Sequence, residues 1–596
     1  MFDAYFKEKP LSDLMVPFAS MYPTVSDRAA WASIRPEDRA ELLAMAAEYR
    51  EKSYPLRLAT DFLAYVRNGS RKADEDPYFF RRRKLCAALL GYCAEPNDAD
   101  LDHIINGIWL ICEESSWVIS AHNVNPIPGA PAAEDYPLPD VDKPYIDLFA
   151  AQTGMILSLS CMLMEDHLMP ELRRRVEREL HNRIIQPFMT TDDFWWMGVR
   201  RSDLNNWTPW ILFNLMTAAL YMAAEQLPAI AERSCTMLDR WLDCIPEDGG
   251  CDEGAGYWSM AGGALLNCLQ VLEHITGGKA TFWHVEKIRR ILAFPSKVRV
   301  SGRWFVNFAD CDAKPLVSGD LLCTAGEKLH DPFLMAMGAE FRGNLTMEIS
   351  DTPQFTRILA KLFHQPPVTS AAPPAEDTWL PDLQVRLIRR GSMVLCAKAG
   401  HNNDNHNHND VGSFMLYLDG EPEIVDAGNM VYTAKTFSAE RYTLWNVRAA
   451  YHNLPMIGNH EQQAGPQYAA RDVQCLPDGL SLDMADAYDS QAGIVACRRT
   501  LTLTEAGFTL EDAIELTEAQ SVTWVFMLRS KPEIGHGELL AGSLRLAYGT
   551  DLHAQAEELP ITDSRMSRSF PGSLWRVTLT AAPSCSHHQR FRATHQ

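Results

Sequence analysis

The sequence predicts a multidomain chain with helices first and β-strands second: an N-terminal (α/α) toroid followed by a C-terminal antiparallel β-sandwich. Two observations carry this prediction. Up to about residue 360, apolar residues recur at helical spacing, as in the stripe of Trp207, Ile211, Leu215 and Ala218. Later in the chain, short runs rich in β-branched and aromatic residues alternate with turn residues, which is typical of a sandwich.

Residues 1–364 are assigned to the toroid. Their helical segments are separated by loops rich in Pro, Asp and Gly, and they show no tight sequence period. The expected repeat is therefore of helix pairs, as in a toroid or solenoid. Besides the helix that starts near Asn206, helical segments are predicted near residues 38–50, 79–94, 100–113, 145–164, 169–186, 229–245, 260–275 and 284–293.

Residues 365–378 form the predicted linker, because four prolines within ten residues cannot continue a helix. Residues 379–596 are assigned to the sandwich. A hairpin is predicted over 413–425, with the favoured turn dipeptide Asp419-Gly420. Other strands are predicted at 383–389, 392–398, 500–504, 508–511, 522–528 and 574–580.

The charge composition restricts the classes of partner that the protein is expected to bind. With 55 Lys+Arg and 77 Asp+Glu the net charge is −22, which argues against non-specific nucleic-acid binding but allows an acidic substrate beside a local Arg cluster.

The 14 cysteines include no CxxC pair, so reduced thiols are expected. The stretch 210–224 is too short for a membrane span, which takes about 20 residues. A homo-oligomer is left open.

The start of the chain has no basic region followed by an apolar one, so no signal peptide is visible. The expected location is cytoplasmic, or periplasmic or secreted if a leader was removed.

The densest polar cluster spans residues 401–410, directly before the predicted hairpin. In an extended chain alternate side chains point to one side. This pattern would place His406, His408 and Asp410 together, which suits a metal, or one catalytic histidine beside one ligand histidine.

A metal site can be completed from two later positions. His408, Asp426 and His452 would form a His–Asp–His site with an open position, compatible with Zn²⁺ or Mn²⁺. The alternative is a hydrogen-bonded polar loop with surface histidines.

Two further segments carry polar candidates. Residues 248–258 contain glycines that let the backbone approach a ligand closely, followed by Tyr257, which can act as a general base if its pKa is lowered. The alternative is a glycine-rich turn with a buried Tyr/Trp pair. In the segment 200–207, Asn205 and Asn206 can bind a carboxylate or simply cap the helix.

In combination, these three segments resemble the heparinase II/III-like polysaccharide lyases, over roughly residues 100 to 465. The motifs are Asn-Asn-Trp, Gly-Cys-Asp-Glu-Gly-x-Gly-Tyr-Trp and His-Asn-His-Asn-Asp-x-Gly-Ser-Phe, with Asp-x-Gly and His-Asn after them. The resemblance implies a toroid followed by a sandwich. It also implies β-elimination at a glycosidic bond 4-linked to a uronic acid.

By this resemblance, Asn206 neutralises the uronate carboxylate, with Asn205 as the near alternative. Tyr257 removes the C5 proton and then protonates the leaving oxygen. His406 is a second base or a carboxylate neutraliser. Several family members have His where this chain has Asn206, which affects whether both uronate epimers are accepted.

The resemblance also assigns His408, Asp426 and His452 to a metal site, with Zn²⁺ or Mn²⁺ in a structural role that holds the loop carrying the catalytic histidine. Arg201 and Arg441 are candidates to bind carboxylates or sulfates, although salt bridges to acids are an equal alternative. Trp207 and Glu253 complete the predicted substrate contacts.

The expected partner is an acidic polysaccharide or oligosaccharide, with glycosaminoglycans first and alginate or another bacterial uronan second. A cytoplasmic enzyme would meet imported, short substrates. The rival enzyme class is a toroid glycoside hydrolase that uses two of Asp248, Asp252 and Glu253 as acid and base. A glycan-binding protein without activity would not need the Tyr, amide and His clusters.

Overall fold

The computed structural model describes residues 1–123, 137–343, 345, 353–364 and 376–596. The chain forms two compact units: one comprises Met1–Ile245, Ser259–Val285 and Ser318–Ala372, and the other Pro246–Trp258, Glu286–Val317 and Pro373–Gln596. Most of the predicted linker, residues 365–375, lies outside the described residues. The predicted domain bounds stay a prediction.

The first unit, here the helical unit, is built from helices whose apolar faces pack on one another. Several successive helices contact each other, for example Lys72–Ala94 with Asp98–Cys112 and Trp207–Met222 with Leu227–Cys244. The α-helices of the described residues in both units are Phe2–Glu8, Leu11–Leu14, Arg28–Ala32, Pro36–Arg50, Ala59–Asn68, Lys72–Ala94, Asp98–Cys112, Leu148–Met164, Pro170–Leu180, Gln186–Thr190, Trp207–Met222, Leu227–Cys244, Ala255–Trp258, Gly262–Ile275, Glu286–Val298, Gly319–Leu329, Pro332–Phe341 and Phe355–Phe363.

The second unit, here the β unit, contains two antiparallel sheets. Among the described residues, an eight-stranded sheet has the order Arg471–Leu476, Gly479–Asp483, Ile494–Thr504, Gly507–Gln520, Ser584–His595, Leu544–Ala547, Glu538–Ala541, Glu533–Ile534. A nine-stranded sheet has the order His553–Pro560, Ser573–Thr580, Val522–Leu528, Glu421–Ile424, Phe414–Leu418, Met393–Lys398, Val385–Arg390, Thr378–Leu380, and Pro455–Ile457 pairs with Val522–Leu528. Short strands at Arg299–Ser301 and Trp304–Phe305, and at His401–Asn402 and Gly465–Ala469, form two more pairs.

The two large sheets pack face to face. Phe414 of the nine-stranded sheet lies 5.1 Å, centroid to centroid, from Phe508 of the eight-stranded sheet, and Phe526 lies 5.2 Å from Phe591. Because aromatic and aliphatic side chains from both inner faces form one buried cluster, the unit is a β-sandwich. The predicted fold class, helices first and an antiparallel sandwich second, is confirmed.

The strands of the two sheets differ in burial. Gly507–Gln520 alternates buried and partly exposed residues, as expected with one face toward the core. Met393–Lys398 and Phe414–Leu418 are buried at every position. Part of this burial comes from the segment around Trp304, which also belongs to the β unit and whose ring lies 6.3 Å from that of Tyr417.

One helical segment of the described residues, Leu148–His167, is long and apolar enough to cross a membrane by length and composition alone. Its most apolar window is 94% buried inside the protein. It is therefore accounted for as a core helix.

Candidate active site and metal site

Tyr257 is placed by the glycine-rich turn that the sequence singled out. It lies in the single helical turn Ala255–Trp258, directly after Gly254, whose φ is +84°. A Cβ at Gly254 would lie 2.6 Å from the Cβ of Cys311, so only glycine permits this close approach. The Tyr257 hydroxyl lies 2.5 Å from the hydroxyl of Tyr432.

His406 lies against this tyrosine, with ring centroids 4.9 Å apart. Its φ of +56° is in the left-handed region, which residues other than glycine adopt uncommonly and which histidine tolerates better than most. The Nδ1–H donates to Asp310 Oδ2 at 2.9 Å, and Nε2 lies 3.4 Å from Glu253 Oε2. Burial lowers the pKa of His406, but the two carboxylates outweigh it and raise the pKa overall.

Asp310 is the centre of this network. Its other oxygen, Oδ1, accepts from His408 Nε2 at 3.1 Å and from Arg441 Nη2 at 2.9 Å. Burial alone would raise the pKa of Asp310, yet the donors from His406, His408 and Arg441 hold that pKa well below its usual range. One buried carboxylate therefore binds the candidate catalytic histidine, a candidate metal ligand and an arginine.

Glu253 is the second carboxylate at His406. It is 2% exposed, and its Oε2 has no hydrogen-bond partner among the described residues. Burial raises the pKa of Glu253 to about 7, against the opposite effect of His406. Its carboxyl therefore changes charge near neutral pH.

Asp410 does not join the two imidazoles as strand alternation predicts. The left-handed turn at His406 interrupts the alternation, and the carboxylate between the imidazoles is Asp310. Asp410 instead accepts from Lys398 Nζ at 2.8 Å, and Asp404 accepts from the same ammonium at 2.9 Å. These two buried ion pairs fasten residues 401–410, here the polar loop, to the strand Met393–Lys398.

The predicted metal ligands lie together. His408, Asp426 and His452 are buried, and one ligand atom from each lies within 4.8 Å of the others. His408 donates through Nε2 to Asp310, and His452 donates through Nδ1 to Asp426 Oδ2 at 2.9 Å.

Each imidazole therefore has one remaining ring nitrogen with a lone pair, His408 Nδ1 and His452 Nε2. Both nitrogens are buried without a hydrogen-bond partner in the described part of the chain. Leaving such atoms unpaired is costly. A divalent cation would satisfy them, so the donor set fits a metal.

The segment 200–207 belongs to the helical unit. Asn206 is 5% exposed and precedes the helix Trp207–Met222, but its side chain makes no capping hydrogen bond. Asn205 Oδ1 instead accepts from the backbone N–H of Trp207 at 3.1 Å. The capping alternative therefore describes Asn205, and the Asn206 amide is not committed to the helix.

The remaining predicted substrate contacts have local partners. Arg201 forms an ion pair with Asp203 and lies over the ring of Trp195 at 4.8 Å. The Trp207 ring lies 4.7 Å from that of His122. Arg441 is 8% exposed and donates to the carbonyls of His406, Asn407 and Thr436. These contacts position the polar loop, and a substrate role for Arg441 stays a prediction.

The acidic residues of the rival hydrolase have structural partners as well. Asp252 accepts from the backbone and side-chain amides of Asn405, and Asp248 accepts from the backbone amides of Asp382 and Leu383. Glu253 alone of these three faces a candidate catalytic group.

Sequence reasoning missed Asp310, Tyr432 and Lys398. Asp310 follows Ala309, whose φ is +61°, and its backbone carbonyl accepts from Asn429 at 3.1 Å. Nothing in the sequence distinguishes this aspartate from other acids, because its partners are remote along the chain. Lys398, by contrast, could have been suspected as a lone cation in an apolar strand.

Comparison with known proteins bears first on the fold. No curated protein sequence matches the chain. A crystal structure of heparinase III is similar, with a TM-score of 0.65 and 13% identity, covering 100% of this chain and 91% of that one. The structure of heparan sulfate lyase from Pedobacter heparinus has a TM-score of 0.56 and 12% sequence identity, and the match covers 100% of this chain and 87% of that one. The structure of a mutant chondroitin AC lyase from Streptomyces coelicolor has a TM-score of 0.52 and 12% sequence identity, and the match covers 98% of this chain and 83% of that one. These similar structures are all polysaccharide lyases, and at such identities the likeness establishes the fold.

The second comparison concerns the sequence family. The family model described as heparinase II/III-like, C-terminal, matches residues 372–583. This range covers most of the β unit, including the polar loop and all three candidate metal ligands. The resemblance drawn from the motifs is confirmed, and over residues 372–583 the chain matches the C-terminal model of the heparinase II/III-like family.

Proposed function

We propose that the protein is a polysaccharide lyase that cleaves glycans 4-linked to uronic acid by β-elimination, leaving a 4,5-unsaturated uronate. Glycosaminoglycans are the first substrate class, and alginate or another uronan the second. The observation that carries the proposal is the cluster of Tyr257 and His406 against two buried carboxylates, Asp310 and Glu253. It lies in a chain with the fold of polysaccharide lyases.

The chemistry needs two things from the protein. The C5 proton is only weakly acidic, because its removal adds charge beside a carboxylate that is already negative, so donors must neutralise that carboxylate. A base must also lie within reach of C5 and then act as an acid toward O4. Tyr257 is assigned the proton transfers, while Asn206 and His406 supply donors to the carboxylate.

The acidic net charge of −22 does not attract a polyanion. Positive charge must therefore come from groups close to the substrate. Arg201, which is partly exposed, and His406 are assigned this role. Bidentate contacts from an arginine to a carboxylate or sulfate add both energy and orientation.

The metal, with Zn²⁺ first and Mn²⁺ second, has a structural role in this proposal. Its ligands are His408, Asp426 and His452, and it would supply a fixed positive charge that holds them together. Because His408 also donates to Asp310, which binds His406, the ligand set maintains the position of the catalytic imidazole.

A direct test mixes the purified protein with a panel of glycosaminoglycans, alginate and their oligosaccharides while ultraviolet absorbance is followed. A lyase generates the absorbance of a conjugated, unsaturated uronate, and Tyr257→Phe should not. New reducing ends without that absorbance would identify a hydrolase. Binding without either product would identify a glycan-binding protein.

A further inference from the structure

Tyr432 is a group that the proposed chemistry has not yet used. Its hydroxyl lies 2.5 Å from that of Tyr257 and 3.3 Å from His406 Nδ1. The guanidinium of Arg565 lies 5.2 Å from the centroid of its ring. Arg565 is held in turn by Asp312, which accepts from its Nε at 2.8 Å. Two phenols thus share a hydrogen bond, and a cation lies beside one of them.

The positions of the hydrogens follow from the partners. A carboxylate with a low pKa only accepts, so Asp310 requires that His406 Nδ1 carry a hydrogen. The Tyr432 oxygen can therefore only accept from Nδ1. Tyr432 can donate its hydrogen to Tyr257, and a Tyr432 phenolate would instead accept from the Tyr257 hydroxyl. In either case one hydrogen joins the two oxygens once the pair has lost a single proton.

A single phenol at this place would be a poor base. Burial raises the pKa of Tyr257 well above its ordinary value, and it raises that of Tyr432 as well. A negative charge on Tyr432 opposes ionisation of Tyr257, so the two phenols do not both ionise, and Glu253 opposes it as well. Asp310 opposes ionisation of Tyr432, whereas Arg565 favours both phenolates. The imidazole of His406 contacts both rings. Ionisation becomes easier when a neighbouring O–H donates to the phenolate.

We propose that Tyr257 and Tyr432 act as one acid–base pair that holds a single negative charge between their oxygens, with Arg565 as its counter-charge. This inference rests on the proposed lyase function. Tyr257 faces the reacting atoms, and Tyr432 and Arg565 are positioning residues that act through it.

The proton balance closes over one turnover. The C5–H bond breaks and the proton goes to the Tyr257 oxygen; if the charge lay on Tyr432, the Tyr257 hydrogen passes to Tyr432 at the same time. The electron pair left on C5 then forms the C4–C5 double bond as the C4–O4 bond breaks. The proton returns through Tyr257 to O4, and the pair again carries one negative charge.

The test is Tyr432→Phe, which keeps the ring and removes the hydroxyl. Ionisation of Tyr257 is followed by phenolate absorbance during a pH titration. The contribution of Tyr257 is the difference between a protein that has this tyrosine and the same protein with Tyr257→Phe. This difference is measured once in the wild-type background and once in the Tyr432→Phe background. We expect Tyr257 to ionise at least about one pH unit higher without Tyr432, and kcat at neutral pH to fall at least about tenfold with KM retained. Raising the pH should restore part of the rate.

Two further variants control this experiment. Tyr548→Phe removes a phenol that donates to the carbonyl of Gly535 in the β unit, and it should change neither the titration nor the rate profile. Arg565→Gln should shift the titration in the same direction as Tyr432→Phe, and Arg565→Lys should shift it less because the charge is kept. Thermal unfolding verifies that each variant is folded.

An unchanged Tyr257 titration in Tyr432→Phe overturns the paired-phenol proposal, even if activity falls. An activity loss that is equal at every pH also overturns it, since it would indicate packing alone. Absence of unsaturated product from every substrate with the wild-type protein would instead contradict the lyase function. The spectroscopic titration would still decide whether the phenols share a charge.

Discussion

The candidate residues of the helical unit and those of the β unit are held in different ways. In the segment 200–207, Asn206 is buried without capping its helix. In the β unit, Asp310 alone accepts from His406, His408 and Arg441. Substitutions in the segment 200–207 should therefore act independently of one another. The residues that share Asp310 depend on one another, so the free-energy effects of substituting them should not add.

Tyr257→Phe should have the largest effect, because both proton transfers are assigned to this hydroxyl in the proposed mechanism. We expect turnover to fall by about 10⁴-fold, the upper end for acid–base catalysis, while substrate binding and thermal stability remain near the wild-type level. Steady-state kinetics and calorimetry on one preparation measure this. High residual activity would mean that another residue carries out the proton transfer, and His406 would be the first candidate.

Asn206→Ala probes the helical unit. Turnover should fall on the order of 10²–10³-fold, as when one donor to a developing negative charge is removed. Since the Asn206 side chain does not cap the helix, its unfolding free energy should change little. Asn205→Ala is the matched control, because loss of its bond to Trp207 should cost about 1 kcal/mol of stability. Wild-type activity in Asn206→Ala would exclude it from carboxylate neutralisation.

The metal ligands test the coupling within the β unit. His408→Ala should release the metal, lower thermal stability and reduce activity by about 10–100-fold. His406→Ala should keep the metal and lose activity, because its ring contacts Tyr257 and not the ligand cluster. Metal analysis of both variants separates the two roles. Equal metal loss would make His406 a ligand, and a metal-free wild type would leave a hydrogen-bonded polar network.

Glu253→Gln should have its effect on stability. The pKa of Glu253 is about 7 in the folded protein against an ordinary 4.5, so the wild type holds a proton that the unfolded chain releases. The unfolding free energy of the wild type, relative to that of Glu253→Gln, should therefore fall by about 3 kcal/mol at most as the pH rises from 4.5 to 7. Above pH 7 the difference should stay constant. Denaturant unfolding across this range measures it, and a constant difference would contradict the raised pKa.

The elements that could be predicted are those written in local patterns. The strand at 522–528 coincides with the observed Val522–Leu528, and the helix predicted near 38–50 with Pro36–Arg50. The metal group was also accessible, since His-x-His and Asp-x-Gly are short motifs. Alternation failed at His406, because a positive φ has no signature in a non-glycine residue.

The positioning groups were out of reach for a different reason. Asp310 lies 96 residues from His406 along the chain, and Tyr432 lies 175 residues from Tyr257. A single sequence carries no mark of such a pairing. Only the folded path of the backbone brings these side chains together.

The course of the chain through the two units limits how this protein can be divided. Segments 246–258 and 286–317, which contain Tyr257 and Asp310, belong with the sandwich although they are synthesised long before it. On the ribosome they must therefore wait for most of the β-strands to emerge. A genetic exchange at the proline-rich segment would likewise transfer a sandwich that lacks Tyr257 and Asp310, so the candidate site can be inherited whole only together with the part of the gene that encodes residues 246–317.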